Sequence, residues 1–144
     1  MKNRSKIKVL TFKDISVGSK YSFSRLITQK DVEDFARLSG DFNPLHLDEK
    51  YSKTTRFNGT IIHGMLAASL FSTLIGMHCP GKHALIINQE MNYIRPIRPN
   101  SLLKVVGEVT NKVESVKVII IKTIIYGRGR EVMVEGISKV KVMK

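Results

Sequence analysis

The segment "GDFNPLHLD", residues 40–48, places a carboxylate, an amide, a proline and an imidazole close together. Pro44 stiffens this stretch, because its ring fixes φ and steers Asn43 away from the helical region. The spacing of Asp41 and His46 lets both side chains turn toward one point without sharing a helical face. A carboxylate accepts a proton and an imidazole gives or takes one near neutral pH, so together they can hold and polarise a water molecule. A local cap, a packed imidazole and an Asn-Pro turn would account for the same residues.

The second chemical signal is "IIHGML", inside a run, 58–77, that holds no Asp, Glu, Lys or Arg. Gly64 falls at the start of an apolar helical pattern over 63–77, where backbone N–H groups lack an intrahelical acceptor and the helix dipole favours negative charge. A glycine there also lets a ligand carbonyl approach the backbone closely. A water-holding pair beside an oxyanion donor suits the addition of water across a double bond conjugated to a thioester carbonyl, or its removal. Attack at C3 drives charge onto the thioester oxygen, where an N–H stabilises it. That chemistry needs neither a metal nor an organic cofactor.

These residues require elements to position them. "KYSFSRLIT" reads as a first strand after a loose lead-in, residues 1–15. Thr28 with Asp31 forms a box-like helix start; Val32, Phe35, Ala36 and Leu38 follow at helical spacing, and Gly40 ends the helix. Residues 48–55 suggest a short surface helix. The 63–77 segment, kept thin by Ala67, Ala68, Ser69, Ser72, Thr73 and Gly76, reads as a helix buried on every side. Strand-like segments follow at 83–94, 102–113, 115–126 and 130–142, separated by hairpin-sized breaks, and the simplest arrangement is an antiparallel meander. "VKVIIIKTIIY" has the β-branched density of a central strand. The expected class is α+β: a long curved antiparallel sheet wrapped round one buried central helix, in a single domain spanning 1–144.

At 144 residues and 42% hydrophobic content the chain can bury one core. Its formal net charge of +12 raises nucleic acid, anionic membranes and acidic ligands as partners. No stacking pattern, zinc spacing or helix-turn-helix signal accompanies the charge, so nucleic acid is not expected, and a solvated lysine-rich surface is the better reading. The uncharged run approaches the ~20 residues of a membrane span, but His63 and its small polar residues argue against one. His78, Cys79 and His83 form no tetrahedral ligand set and read as a turn, and "GRGR" at 127–130 as a hairpin turn. A lone cysteine and an N-terminus without an apolar signal stretch lead to the expectation of the cytoplasm.

Over residues 38–89, through "GDFNPLHLD", "IIHGMLAASLFS" and "PGK", the chain resembles the MaoC-like (R)-specific enoyl-CoA hydratases, the hydratase 2 group with the hot-dog fold. The general layout extends over nearly the whole chain. The resemblance implies Asp41 and His46 as the catalytic pair, Gly64 as oxyanion donor, Ser72 beside the acyl pocket and Asn43 as a residue that orients the pair. His63 is read either as a substrate contact or as a donor to a nearby backbone carbonyl. The implied reaction is reversible hydration of a trans-2-enoyl thioester of coenzyme A or acyl carrier protein to the (3R)-3-hydroxyacyl thioester, with no cofactor and no metal. A homodimer with sheets joined edge to edge, its sites near the interface, is implied as well. A hot-dog thioesterase is the first alternative, and the D-x-N-P-x-H loop argues against it. A non-catalytic module binding acyl groups or a carrier is the second, and an intact Asp41–His46 pair argues against that. The chain departs from the family at "PIRPNS", where a Gly-Asp turn is common, and at "KHALIINQE", which lacks a usual glycine. Both departures bear on the pantetheine entrance, where Arg95 and Arg98 are the candidate contacts for an anionic carrier.

Overall fold

In a computed structural model of the chain, which describes residues 6–144, the elements run β1 (Lys20–Ile27), α1 (Gln29–Ser39), α2 (Pro44–Leu47), α3 (Glu49–Ser52), α4 (Gly64–Thr73), β2 (Ala84–Tyr93), β3 (Ser101–Val113), β4 (Val118–Tyr126) and β5 (Val132–Val142). The strands form one five-stranded sheet in the order β1-β3-β4-β5-β2, with every neighbouring pair antiparallel. Register shifts near residues 86–88, 109–111 and 125–126 mark bulges, which bend the strands that carry them. This is the hot-dog arrangement, with β4 in the middle of the sheet.

The meander expectation holds for β3, β4 and β5 and fails for β2, which pairs with β5 instead of β3. The cause lies in the connection "RPIRPN". Pro96 and Pro99 have no N–H for a ladder, and Ile97, 4% exposed, drops into the core while its carbonyl accepts the N–H of Ile62 at 2.8 Å. The segment is thereby tied to the residues ahead of α4, and it carries the chain past two strands before β3 begins.

Local chemistry sets the helix ends as the sequence suggests. Thr28 Oγ1 accepts the Asp31 N–H, and the Asp31 carboxylate accepts the Thr28 N–H at 2.7 Å. Gly40 closes α1 at φ 79°, its N–H donating to Ala36. Val32 and Ala36 are buried, whereas Leu38, on the same apolar pattern, is 85% exposed. The stiff loop at 44–47 is a single helical turn, because a proline is favoured at the first helical position and the Asn43 Oδ1 caps it by accepting the Leu45 N–H.

Leu66, Ala67, Leu70, Phe71 and Leu74 pack against Leu103, Val105, Ile125 and Val134 of the sheet. The helix continues as a wider π-type turn, Leu74–His78. Contrary to the expectation of burial on every side, Met65, Ser69 and Ser72 form an exposed stripe; small side chains there thin the helix without being covered. The lead-in is not loose from Lys8 onward: Phe12 and Ile15 are buried at 4% and 1%, the Lys8 N–H donates to Met77, and Lys112 Nζ donates to the carbonyls of Phe12 and Ile15. Residues 1–5 of the expected lead-in lie outside the described residues.

Helix and sheet pack closely at Gly107, where a Cβ would stand 2.6 Å from Leu74 Cδ2 and 3.1 Å from Ile121 Cγ2. Gly107→Ala is therefore expected to lower stability by about 1–3 kcal/mol through overpacking, read as a lower urea midpoint at unchanged slope. An unchanged midpoint would show that Leu74 yields freely.

Candidate active site

The chain folds Asp41 and His46 toward one another because α1 ends at Gly40 and α2 begins at Pro44, leaving a three-residue link that must reverse direction. Asp41 Oδ1 accepts the Asn43 N–H at 3.1 Å, which holds the link in a tight turn. His46 follows on α2, half-buried, its Nδ1 2.8 Å from the Ile61 carbonyl. A carbonyl only accepts, so Nδ1 carries the hydrogen and Nε2 presents a lone pair. Burial pushes the His46 pKa down, and neighbouring His63 adds to that shift; the Ile61 bond and Asp41 oppose it. The imidazole is thus biased toward its neutral, proton-accepting form.

His63, 2% exposed, is the N-cap residue of α4. Its Nε2 donates to the Asp41 backbone carbonyl at 3.0 Å and stands 3.9 Å from the Asp41 carboxylate. Its ring lies 3.9 Å, centroid to centroid, from that of His46. One polar atom of each of Asp41, His46 and His63 falls within 4.8 Å of the others, a spacing that would admit either a water or a cation. His63 Nδ1 has no hydrogen-bond partner among the described residues.

Gly64, the first residue of α4, lines a cavity of about 330 Å³ together with His46, Phe57, Ile61, Tyr93 and Ile97. Its N–H has no acceptor among the described residues. The Tyr93 ring stands over it, so close that a Cβ on Gly64 would be 2.9 Å from Tyr93 Cε1. The tyrosine hydroxyl donates to Met65 Sδ at 3.3 Å.

Of the residues singled out in the sequence, Asp41, His46 and His63 therefore gather, and His46 joins Gly64 along the cavity, whose lining includes neither Asp41 nor His63. Asn43 sits beside them as the α2 cap. Ser72 does not join them: it is exposed, farther along α4, and lines no part of the cavity holding His46 and Gly64. Of the two candidate carrier contacts, Arg95 lines that cavity. Arg98 instead binds the carbonyls of Phe57 and Thr60, fastening the segment ahead of α4. Three participants escape the sequence reading: the Ile61 carbonyl, the Tyr93 ring and Arg56. Arg56 opens "RFNGT", whose Asn and Gly mark a turn and no site, and a backbone carbonyl leaves no mark in a sequence.

Comparison with known proteins identifies a family and a shared fold. A family model described as the MaoC like domain matches residues 13–126. The (R)-specific enoyl-CoA hydratase of Aeromonas caviae is 36% identical over 92% of this chain and 99% of its own length. The 3-hydroxybutyryl-CoA dehydratase of Methylorubrum extorquens is 34% identical over 96% of this chain and 87% of its own. Among solved structures, an (R)-hydratase from A. caviae involved in PHA biosynthesis superposes with a TM-score of 0.88 at 37% identity, covering 90% of this chain and 98% of that one.

Proposed function

Since the chain belongs to the MaoC-like domain family, we propose that it is a hydro-lyase that adds water to trans-2-enoyl thioesters, and removes it from the 3-hydroxyacyl products, with Asp41, His46 and Gly64 carrying the chemistry. The single observation that carries the residue assignment is the lone pair of His46 Nε2, left free because Nδ1–H is committed to the Ile61 carbonyl, on a ring with one nitrogen within 4.8 Å of a carboxylate oxygen of Asp41.

In this reading a water donates one hydrogen to His46 Nε2 and the other to the Asp41 carboxylate. Its oxygen then attacks C3 while the thioester oxygen gathers charge against the Gly64 N–H. The proton the water loses passes to this pair, and the pair returns one proton to C2 from the side on which it lies. Hydroxyl and hydrogen therefore arrive from the same face. The (3R) configuration is carried from the family. Water as the nucleophile at C3, not at C1, separates this reading from a thioesterase.

The direct test incubates the purified protein with crotonyl-CoA and follows both enoyl absorbance and free thiol. Loss of the enoyl signal without thiol is the expected result; thiol release would make the protein a thioesterase, and no reaction with any enoyl thioester would remove the lyase reading.

The pH profile follows from His46. Only the neutral ring accepts a proton, and burial holds its pKa below the ordinary 6.5. As pH falls, kcat/KM is expected to hold through 6.5 and to decline only at a lower pH. A decline centred above 6.5 would assign the acid limb to another group.

We also propose a homodimer and a cytoplasmic setting. The edge of β2 away from β5 has no partner strand among the described residues, and Leu85 and Ile87 on it are 50% and 53% exposed. A long apolar edge of this kind is normally covered, and a two-fold axis beside β2 would cover it. Light scattering should give about twice 16.3 kDa; a concentration-independent monomer would overturn this. Cys79 is buried and unpaired, which suits a reducing compartment. No helix among the described residues is long and apolar enough to cross a membrane.

A further inference from the structure

The lining of the catalytic cavity is apolar or uncharged apart from His46, with one departure: Arg56 and Arg95 both reach it, and no Asp or Glu does. They arrive from separate segments, one between α3 and α4 and one just after β2. Neither has a carboxylate within ion-pair distance among the described residues. Of the other described arginines, Arg25 pairs with Asp31, Arg37 with Asp34 and Arg98 holds two carbonyls, while Arg128 and Arg130 lie outside this cavity.

Both side chains are exposed at the rim, and each is partly preorganised. The Arg56 guanidinium lies 4.9 Å from the centroid of the Phe57 ring, and Arg95 donates one terminal nitrogen to the Val132 carbonyl at 2.8 Å. The remaining N–H groups of both are available. Two like charges beside one opening repel unless an anion lies between them, and a guanidinium's planar fork matches phosphate and carboxylate oxygens.

The reaction proposed above gives these cations nothing to do at the reacting carbons, where Gly64 receives the developing charge. An enoyl thioester with an unsubstituted acyl chain is neutral from its tail to its sulfur; its anionic part is the carrier arm. We propose, on the strength of the lyase reading, that Arg56 and Arg95 together form the site for a phosphate of the pantetheine arm. Coenzyme A and the prosthetic group of a carrier protein share a phosphate ester at the end of that arm. An arm entering from this rim directs the acyl chain inward, away from the arginines.

Binding, not turnover, tests this. Butyryl-CoA, butyryl-4′-phosphopantetheine and butyryl-pantetheine are saturated and cannot be hydrated, so calorimetric affinities stand whether or not the lyase reading survives. The parent protein should bind the two phosphorylated ligands roughly 10–100-fold more tightly than butyryl-pantetheine, the range for one or two charge-assisted hydrogen bonds. In Arg56→Gln/Arg95→Gln the advantage should shrink to within about threefold, and salt should erode it in the parent, as screening of exposed charges requires. Equal affinity for the two phosphorylated ligands assigns the pair to the shared ester phosphate. A further gain for butyryl-CoA that the double substitution removes would assign the pair to the nucleotide end and overturn the ester-phosphate site. It is overturned if the parent does not distinguish phosphorylated from plain pantetheine, or if the double variant keeps the full advantage. It is equally overturned if glutaryl-pantetheine, whose anion lies on the acyl chain, is the ligand that the substitutions weaken.

Discussion

Asp41→Asn and His46→Ala are each expected to lower turnover of a short enoyl-CoA by roughly 10²–10⁴-fold, the usual contribution of a positioned acid or base, while the protein stays folded. Asp41 is exposed, and its backbone carbonyl, not its carboxylate, receives the His63 bond. An asparagine can keep the oxygen that accepts the Asn43 N–H, so the link between α1 and α2 should persist. His46→Ala gives up the bond to Ile61, a cost of about 1 kcal/mol. Because both groups act on one water, the double variant should be little worse than either single one. A folded variant retaining more than about a tenth of the parent rate would take that residue out of the chemistry.

Gly64→Ala should be nearly as damaging, on the order of 10²-fold in kcat/KM, the scale on which lost oxyanion donors are measured. The added methyl would meet the Tyr93 ring at 2.9 Å, so either the ring swings into the cavity or the opening of α4 shifts. The helix should tolerate alanine at its first position, and the melting temperature should change little. Tyr93→Ala in the Gly64→Ala background separates the causes: recovered activity would place the fault in the ring, and none would place it in the methyl group's own obstruction of the thioester oxygen. Activity within threefold of the parent in Gly64→Ala alone would show that the thioester oxygen does not need a bare backbone here, since alanine keeps the N–H.

Much of this was legible in the residues. The Thr28–Asp31 box and the Gly40 stop are local rules, so the end of α1 just ahead of Asp41 follows from neighbours in sequence, whereas Pro44–Leu47 reads as a stiff loop and folds as a helical turn. The β-branched density of β4 likewise marks it as the middle of a sheet. What escaped depends on long-range pairing. Nothing within "RPIRPN" states that β2 must travel past two strands, because the deciding contact, Ile97 with Ile62, joins distant segments. The exposed stripe of Met65, Ser69 and Ser72 escaped for a related reason: a thin apolar helix looks buried all round until its neighbours are placed. At the site, side chains announced themselves, whereas the Ile61 carbonyl that selects the His46 tautomer and the Tyr93 ring over Gly64 came only with the fold.

His63 stands immediately before Gly64 and also donates to the Asp41 carbonyl, so one imidazole sets the separation between the two halves of the proposed site. In the proposed chemistry that separation is a ruler with two marks, one for the carbonyl oxygen at C1 and one for the carbon that receives water at C3. An isomer whose double bond lies between C3 and C4 would meet the first mark and miss the second, and its alkene would lack conjugation with the carbonyl. Regiochemistry is then counted in bonds from the thioester by a fixed backbone span, which leaves the length of the acyl tail free to vary without altering where the hydroxyl lands.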